Sequence, residues 1–247
     1  ISLADPAANA AEVVATLDKA HAAGVGLAVF PELCLSGYAI DDLLQQTTVL
    51  DGVLDAIEQV REASAKHGVV AVVGAPLRWR QRLYNCAVGI AGGQVLGVVP
   101  KSYLPSYREF YERRWFTPGL GLEGETIALR GGAVPFGTDL IFAAADYPDF
   151  VLGVEICEDL WAPEPPSGRL AMAGATVIAN SSASNIIIGK AEVRRALCKA
   201  QSMRTIGAYV YAASGWGEST TDLAWDGHAL VYETGALLAA SERFSRT

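Results

Sequence analysis

The chain has 247 residues, of which 51% are hydrophobic and 19% charged. That mixture excludes intrinsic disorder, a coiled coil and collagen, and no apolar run approaches the ~20 residues that span a bilayer. The 19 basic and 27 acidic residues give a net charge of −8; apart from Arg108, Arg113 and Arg114 the basic residues are scattered, which argues against a nucleic-acid partner.

In chain order, Asp5-Pro6 reads as a helix start, an N-cap acceptor followed by proline at the first helical position. Val13, Val14, Leu17 and Ala20 keep a helical spacing, and Gly24 can close the helix. Val25 to Phe30 has the continuous apolar pattern of a strand buried on both faces. A second helix is predicted from about Leu50 to His67, with Gly68 as its stop. Strands follow at Val69–Val73, Tyr84–Ala91 and Val95–Val99, the last two joined by Gly92-Gly93, a hairpin signal.

Residues 100–125 read as a loop rich in aromatic and charged groups. Strands are predicted at Leu140–Ala144 and Val151–Ile156. Pro163, Pro165 and Pro166 keep helix interior out of their stretch. A helix over Ser167–Ala173, a strand over Thr176–Ala179, a long helix over Lys190–Ile206 and a strand over Ala208–Ala213 complete the alternation. Ala229–Ala240, with Thr234-Gly235 at its centre, reads as a terminal hairpin. The pattern predicts one α/β domain over residues 1–247, without linker or repeat.

Three residues stand just past buried strands, where a rigid sheet aims loop side chains into a site. They are Glu32 in VGLAVFPEL, Lys101 in LGVVPK and Cys157 in VLGVEICEDLW. Taken singly, each has an ordinary alternative: a solvated glutamate, a surface lysine, a buried structural thiol. Together they form a sufficient set for acyl transfer from an amide. The carboxylate takes the thiol proton and returns it to the leaving group, while the ammonium stabilises thiolate and oxyanion. Cys34, Cys86 and Cys198 read as buried thiols. With no C-x-x-C pair and no leader peptide, reduced thiols in a cytoplasm are expected. No G-x-S-x-G supports a serine hydrolase, and His21, His67 and His228 are too scattered for a metal site. The chain opens on Ile1, which predicts that the whole protein begins further upstream.

PELCLSGY (31–38), PKSYLP (100–105) and EICEDLW (155–161) resemble the nitrilase, or carbon–nitrogen hydrolase, superfamily, whose catalytic set is Glu–Lys–Cys in that chain order. The resemblance implies a four-layer α-β-β-α sandwich. SYREFYERRWF (106–116), the NSSAS run (180–184) with GKAEVRRAL (189–197), and GESTTDLAWDG (217–227) further resemble the glutaminase domain of bacterial, actinobacterial-type glutamine-dependent NAD synthetases. By that resemblance Cys157 is the nucleophile on the side-chain amide of L-glutamine and Glu32 the general base. Lys101 and the N–H of Glu158 form the oxyanion hole. Glu109 is the supporting second glutamate, preferred over Glu112. Tyr107, Ser184, Lys190 and Tyr38 are implied substrate-binding residues; the family often has arginine near 190, and lysine lacks its bidentate fork.

The same resemblance implies that the ammonia passes to a synthetase domain that amidates nicotinic acid adenine dinucleotide to NAD. That domain needs ATP and magnesium. Its S-G-G-x-D-S-type loop does not occur here, so no cofactor is expected in this domain, and the chain reads as trimmed at both ends. A homo-oligomer is implied as well. The alternatives are a stand-alone amidase of the superfamily and a catalytically dead assembly module, which would have lost one of Glu32, Lys101 and Cys157.

Overall fold

The computed structural model describes residues 1–245. Asp5 caps α1 (Pro6–Ala22) by accepting the Ala8 N–H at 3.1 Å. The strand after it, β1, is shorter than its apolar run, Leu27–Val29, and pairs in parallel with β2. Helix α2 covers Thr47–Ser64. The expected Val69–Val73 strand is only the first half of β2 (Val70–Trp79). That strand runs on through Gly74 and Pro76 because β3 (Arg82–Ala91) pairs with it along its length, Ala71 opposite Ile90 and Trp79 opposite Arg82. β4 (Gln94–Pro100) follows across the Gly92-Gly93 turn.

A hairpin that the hydropathy pattern does not announce, β5 (Glu125–Leu129) and β6 (Gly132–Phe136), adds to the sheet edge. Half of its residues are exposed and only Ile127 and Phe136 are buried, so it lacks the apolar run by which its neighbours are recognisable. β7 (Ile141–Ala143), β8 (Val151–Ile156), α3 (Pro166–Met172), β9 (Val177–Ser182), α4 (Lys190–Arg204), β10 (Ala208–Ala213), β11 (Ala229–Glu233) and β12 (Ala236–Ala240) complete the chain.

The strands form two six-stranded sheets, ordered β1-β2-β3-β4-β6-β5 and β12-β11-β10-β9-β8-β7. Val72, Ala87 and Val99 of the first sheet pack on Leu152, Val154 and Ala179 of the second. α1 and α2 cover the first sheet's outer face, where Val13, Leu17, Val53 and Ile57 join Ala71, Val73 and Val88. α3 and α4 cover the second, with Leu170 and Cys198 against Tyr209 and Leu230. The result is the expected α-β-β-α layering. Two sheets buried on both faces are where a chain with so little charge hides its apolar side chains. Among the described residues no helix is long and apolar enough to cross a membrane.

The topology also places the site. β1 runs parallel to β2; β4, two antiparallel steps from β2, runs the same way. In the facing sheet β8, β9 and β10 are parallel. The loops after β1, β4, β8 and β9 therefore meet at one end of the sandwich.

Candidate active site

Glu32 and Lys101, 69 residues apart, meet in that loop cluster: Lys101 Nζ donates to Glu32 Oε1 at 2.6 Å, both side chains fully buried. The loop bearing Glu32 crosses directly over β2 at Gly74. A Cβ there would stand 2.1 Å from the Leu33 nitrogen and 2.7 Å from the Pro31 oxygen, so only glycine permits the approach. The loop is tied down by the Leu35 N–H to the Gly74 oxygen at 3.1 Å.

Lys101 donates a second bond, at 2.7 Å, to Glu112 Oε1, which also accepts from the Tyr38 hydroxyl at 2.7 Å. The carboxylate supporting Lys101 is thus Glu112, and the expectation of Glu109 is corrected. The segment after Pro105 doubles back, with Phe110 N–H on the Tyr107 oxygen and Glu112 N–H on the Pro105 oxygen. This turns Glu112 inward and leaves Glu109 on the other side, where it accepts from Asn185 Nδ2 at 2.6 Å. Tyr38 is likewise corrected: its hydroxyl serves Glu112, and the ring lines a narrow cleft behind the site rather than the main cavity.

Burial works to lower the Lys101 ammonium, but the adjacent Glu112 and Glu32 carboxylates outweigh it and hold the group well above the ordinary lysine value. Burial pushes the Glu112 carboxyl up to about 7 against the opposing pull of Lys101.

Cys157 directly follows β8 with φ +45°, a left-handed conformation costly for a residue with a side chain. This sharp turn starts a single 3-10 turn, Cys157–Leu160. Asp159 braces the turn, accepting from the N–H groups of Ile156 (2.9 Å), Tyr103 (2.9 Å) and Ser102 (3.1 Å). One carboxylate thereby ties the cysteine elbow to the lysine loop. The Ala183 N–H after β9 donates to Glu32 Oε2 at 2.7 Å and also faces the Cys157 thiol. Burial, reinforced by the Glu32 charge, pushes the thiol up to about 12, with Lys101 opposing. At neutral pH it is a neutral S–H that needs a base.

Over Cys157 opens a cavity of about 470 Å³. Tyr107, Ser184 and Lys190, three of the positions read as substrate-binding, line it together with Glu158, Glu109 and Trp161. The Tyr107 hydroxyl donates to both Glu158 carboxylate oxygens, at 2.9 and 3.1 Å. Lys190 donates to Asn185 Oδ1 and lies 5.4 Å over the rings of both Phe110 and Trp161. Its ammonium is lowered by burial. A cavity carrying two cations, Lys190 and Arg108, two carboxylates and hydroxyls suits a small ligand with both charges.

Sequence reading missed the scaffolding. Fully buried Arg194 on α4 pairs with Asp226 at 3.0 Å and donates to the Ser184 and Asn185 carbonyls, fixing the loop after β9. Its signal is an arginine four residues before buried Cys198, on the core face of the helix. Asn85, a polar residue inside the apolar run of β3, donates to Glu32 Oε1 at 2.6 Å. Asp159 sits two residues after the cysteine, in plain view. A buried carboxylate–ammonium pair whose charges act on a thiol at the cavity wall can perform covalent acyl transfer.

A family model for carbon–nitrogen hydrolases matches residues 1–247. The glutamine-dependent NAD(+) synthetase of Mycobacterium tuberculosis (strain ATCC 25618 / H37Rv) is 60% identical over 245 residues, covering 99% of this chain and 36% of that protein. The synthetase of the same name from Xylella fastidiosa (strain 9a5c) is 34% identical over 228 residues, covering 92% and 38%. The crystal structure of a glutamine-dependent NAD(+) synthetase from Cytophaga hutchinsonii superposes with a TM-score of 0.87 at 27% identity, covering 99% of this chain and 39% of that one. An amidase from Nesterenkonia sp. has the same fold, with a TM-score of 0.77 at 20% identity, covering 98% and 82%. The chain spans 36% of the length of the mycobacterial relative, little more than a third.

Proposed function

The chain belongs to the carbon–nitrogen hydrolase family, and we propose that it hydrolyses the side-chain amide of L-glutamine to glutamate and ammonia. The observation that carries the proposal is the buried Glu32–Lys101 pair, whose charges both act on Cys157, the thiol that opens onto a charged cavity. The name of the synthetase relatives supports glutamine as substrate, and their greater length supports a separate synthetase domain as the ammonia's destination, with ATP and magnesium confined to that domain. A cytoplasmic homo-oligomer is part of the same proposal.

Glu32 takes the Cys157 proton as Sγ attacks the amide carbon. Lys101 Nζ and the N–H of Glu158, near the start of a turn whose first N–H groups have no partner within it, stabilise the oxyanion. As the tetrahedral intermediate collapses, Glu32 returns the proton to the nitrogen, and ammonia leaves. Water then attacks the thioester with Glu32 as base, giving glutamate and the free thiol. Lys190, Glu158 and Glu109 offer partners for the two charges on the α-carbon of glutamine.

The test is Cys157→Ala in the full-length protein. Release of glutamate from L-glutamine should fall by more than about a thousandfold, the scale of losing a nucleophile, while thermal unfolding stays unchanged. Near-wild-type turnover would overturn the mechanism. Activity of the unsubstituted protein on another ω-amide, with none on glutamine, would overturn the substrate.

A further inference from the structure

We propose that Asn85 is a positioning residue for this reaction: its amide and the Lys101 ammonium together fill Glu32 Oε1, leaving Oε2 as the oxygen that takes the Cys157 proton. A carboxylate offers about two acceptor sites on each oxygen. Oε1 receives Lys101 Nζ and Asn85 Nδ2, both at 2.6 Å. Oε2 receives the Ala183 N–H alone, at 2.7 Å, and that same N–H faces the thiol. The vacant site is therefore on the oxygen that shares the Ala183 N–H with the thiol. Asn85 acts at a second point too, since its backbone oxygen accepts the Lys101 N–H at 2.8 Å.

The other half of the amide shows that stability does not account for this residue. Asn85 is 1% exposed, and its Oδ1 is buried without a hydrogen-bond partner among the described residues. A buried unpaired acceptor is destabilising, and an apolar residue of similar size removes that penalty. Leucine at this position would suit the apolar surroundings of β3. It would lose only the donor to Glu32.

The inference rests on the glutaminase reading for its rate assay, so the experiment carries a second readout that needs no substrate. Asn85→Leu is made in the full-length protein. Three quantities are measured against pH: kcat/KM for glutamine hydrolysis, the rate of Cys157 alkylation by iodoacetamide, and thermal unfolding. Glu32 is faced by Lys101, Glu112, Tyr38 and Cys157, and at longer range by Glu158 and Glu218. All of these remain in the variant, so a change reports Asn85.

The expected result is a fall in kcat/KM of about ten- to a hundredfold, the scale of one hydrogen bond to a charged group. The acid limbs of hydrolysis and alkylation should both move up by roughly one pH unit, with Tm unchanged or raised. Asn85→Ser, which is smaller and cannot overpack the strand, should move the limbs in the same direction and carries the test if the leucine variant unfolds. A lower rate with neither limb moved, in whichever variant folds, overturns the proposal and leaves Asn85 a packing residue. A moved alkylation limb in a protein that does not hydrolyse glutamine supports the role of Asn85 and overturns the substrate reading.

Discussion

Gly74→Ala tests how the fold delivers the general base. The added Cβ would lie 2.1 Å from the Leu33 nitrogen, 2.7 Å from the Pro31 oxygen and 2.8 Å from the Glu32 carbonyl carbon, where ordinary contact begins at 3.4 Å. All three atoms are backbone, so no side chain can swing aside. Either β2 or the loop must move by more than about 1 Å, with Glu32 at the point of contact. β2 is held by β1 on one side and β3 on the other, so the loop yields. Displacing a catalytic group by about 1 Å costs on the order of a hundredfold in rate, and overpacking costs about 1–3 kcal/mol of stability. Glutaminase kcat and thermal unfolding should both fall. Gly26→Ala, next to β1 with nothing within 4 Å of its added Cβ and no left-handed backbone, should change neither. Wild-type kcat and Tm in Gly74→Ala would refute the argument that this crossing aims Glu32.

Glu112→Gln should lower kcat/KM by about ten- to a hundredfold, because it removes one of the two carboxylates on Lys101; Glu109→Gln, at the cavity wall, should act mainly on KM, and the reverse pattern would restore Glu109 to the supporting role. The same variant has a pH signature. With its folded value raised from 4.5 to about 7, Glu112 contributes stability fully present below pH 4.5 and lost as the pH rises to about 7. Urea unfolding of Glu112→Gln across that window should therefore show a flatter profile than wild type, and parallel profiles would refute the assignment. Arg194→Met leaves buried Asp226 with Arg243, at 3.6 Å, as its counter-charge among the described residues; chemical unfolding should show a loss of about 3–5 kcal/mol, and a loss under 1 kcal/mol would refute the anchoring role.

The difference between Glu109 and Glu112 shows where sequence reading stops. Both lie in one loop three residues apart, and neither spacing nor composition separates them. The outcome depends on Glu112 N–H reaching the Pro105 oxygen and on Arg108 adopting a left-handed backbone, neither of which leaves a hydropathy trace. Tyr38 was legible as a residue near the site but not as the hydroxyl that holds Glu112.

What the sequence determined by itself is an alternation of buried strands and amphipathic helices and three reactive residues at strand ends; the four-layer order and the catalytic roles came from the family resemblance. Continuous apolar runs at β2, β3, β8 and β9 require burial on both faces, and helical spacing in α1 and α2 supplies the cover. Glu32, Lys101 and Cys157 could be picked out because each follows such a run directly, at the end where a strand must release its chain. Only the tertiary structure decided the convergence of these three residues and the groups that hold them. Glu32 meets Lys101 across 69 residues, Ala183 across 151 and Asn85 across 53. Such contacts depend on strand order, strand direction and the crossing at Gly74. These are properties of how two sheets pack, and no local pattern encodes them.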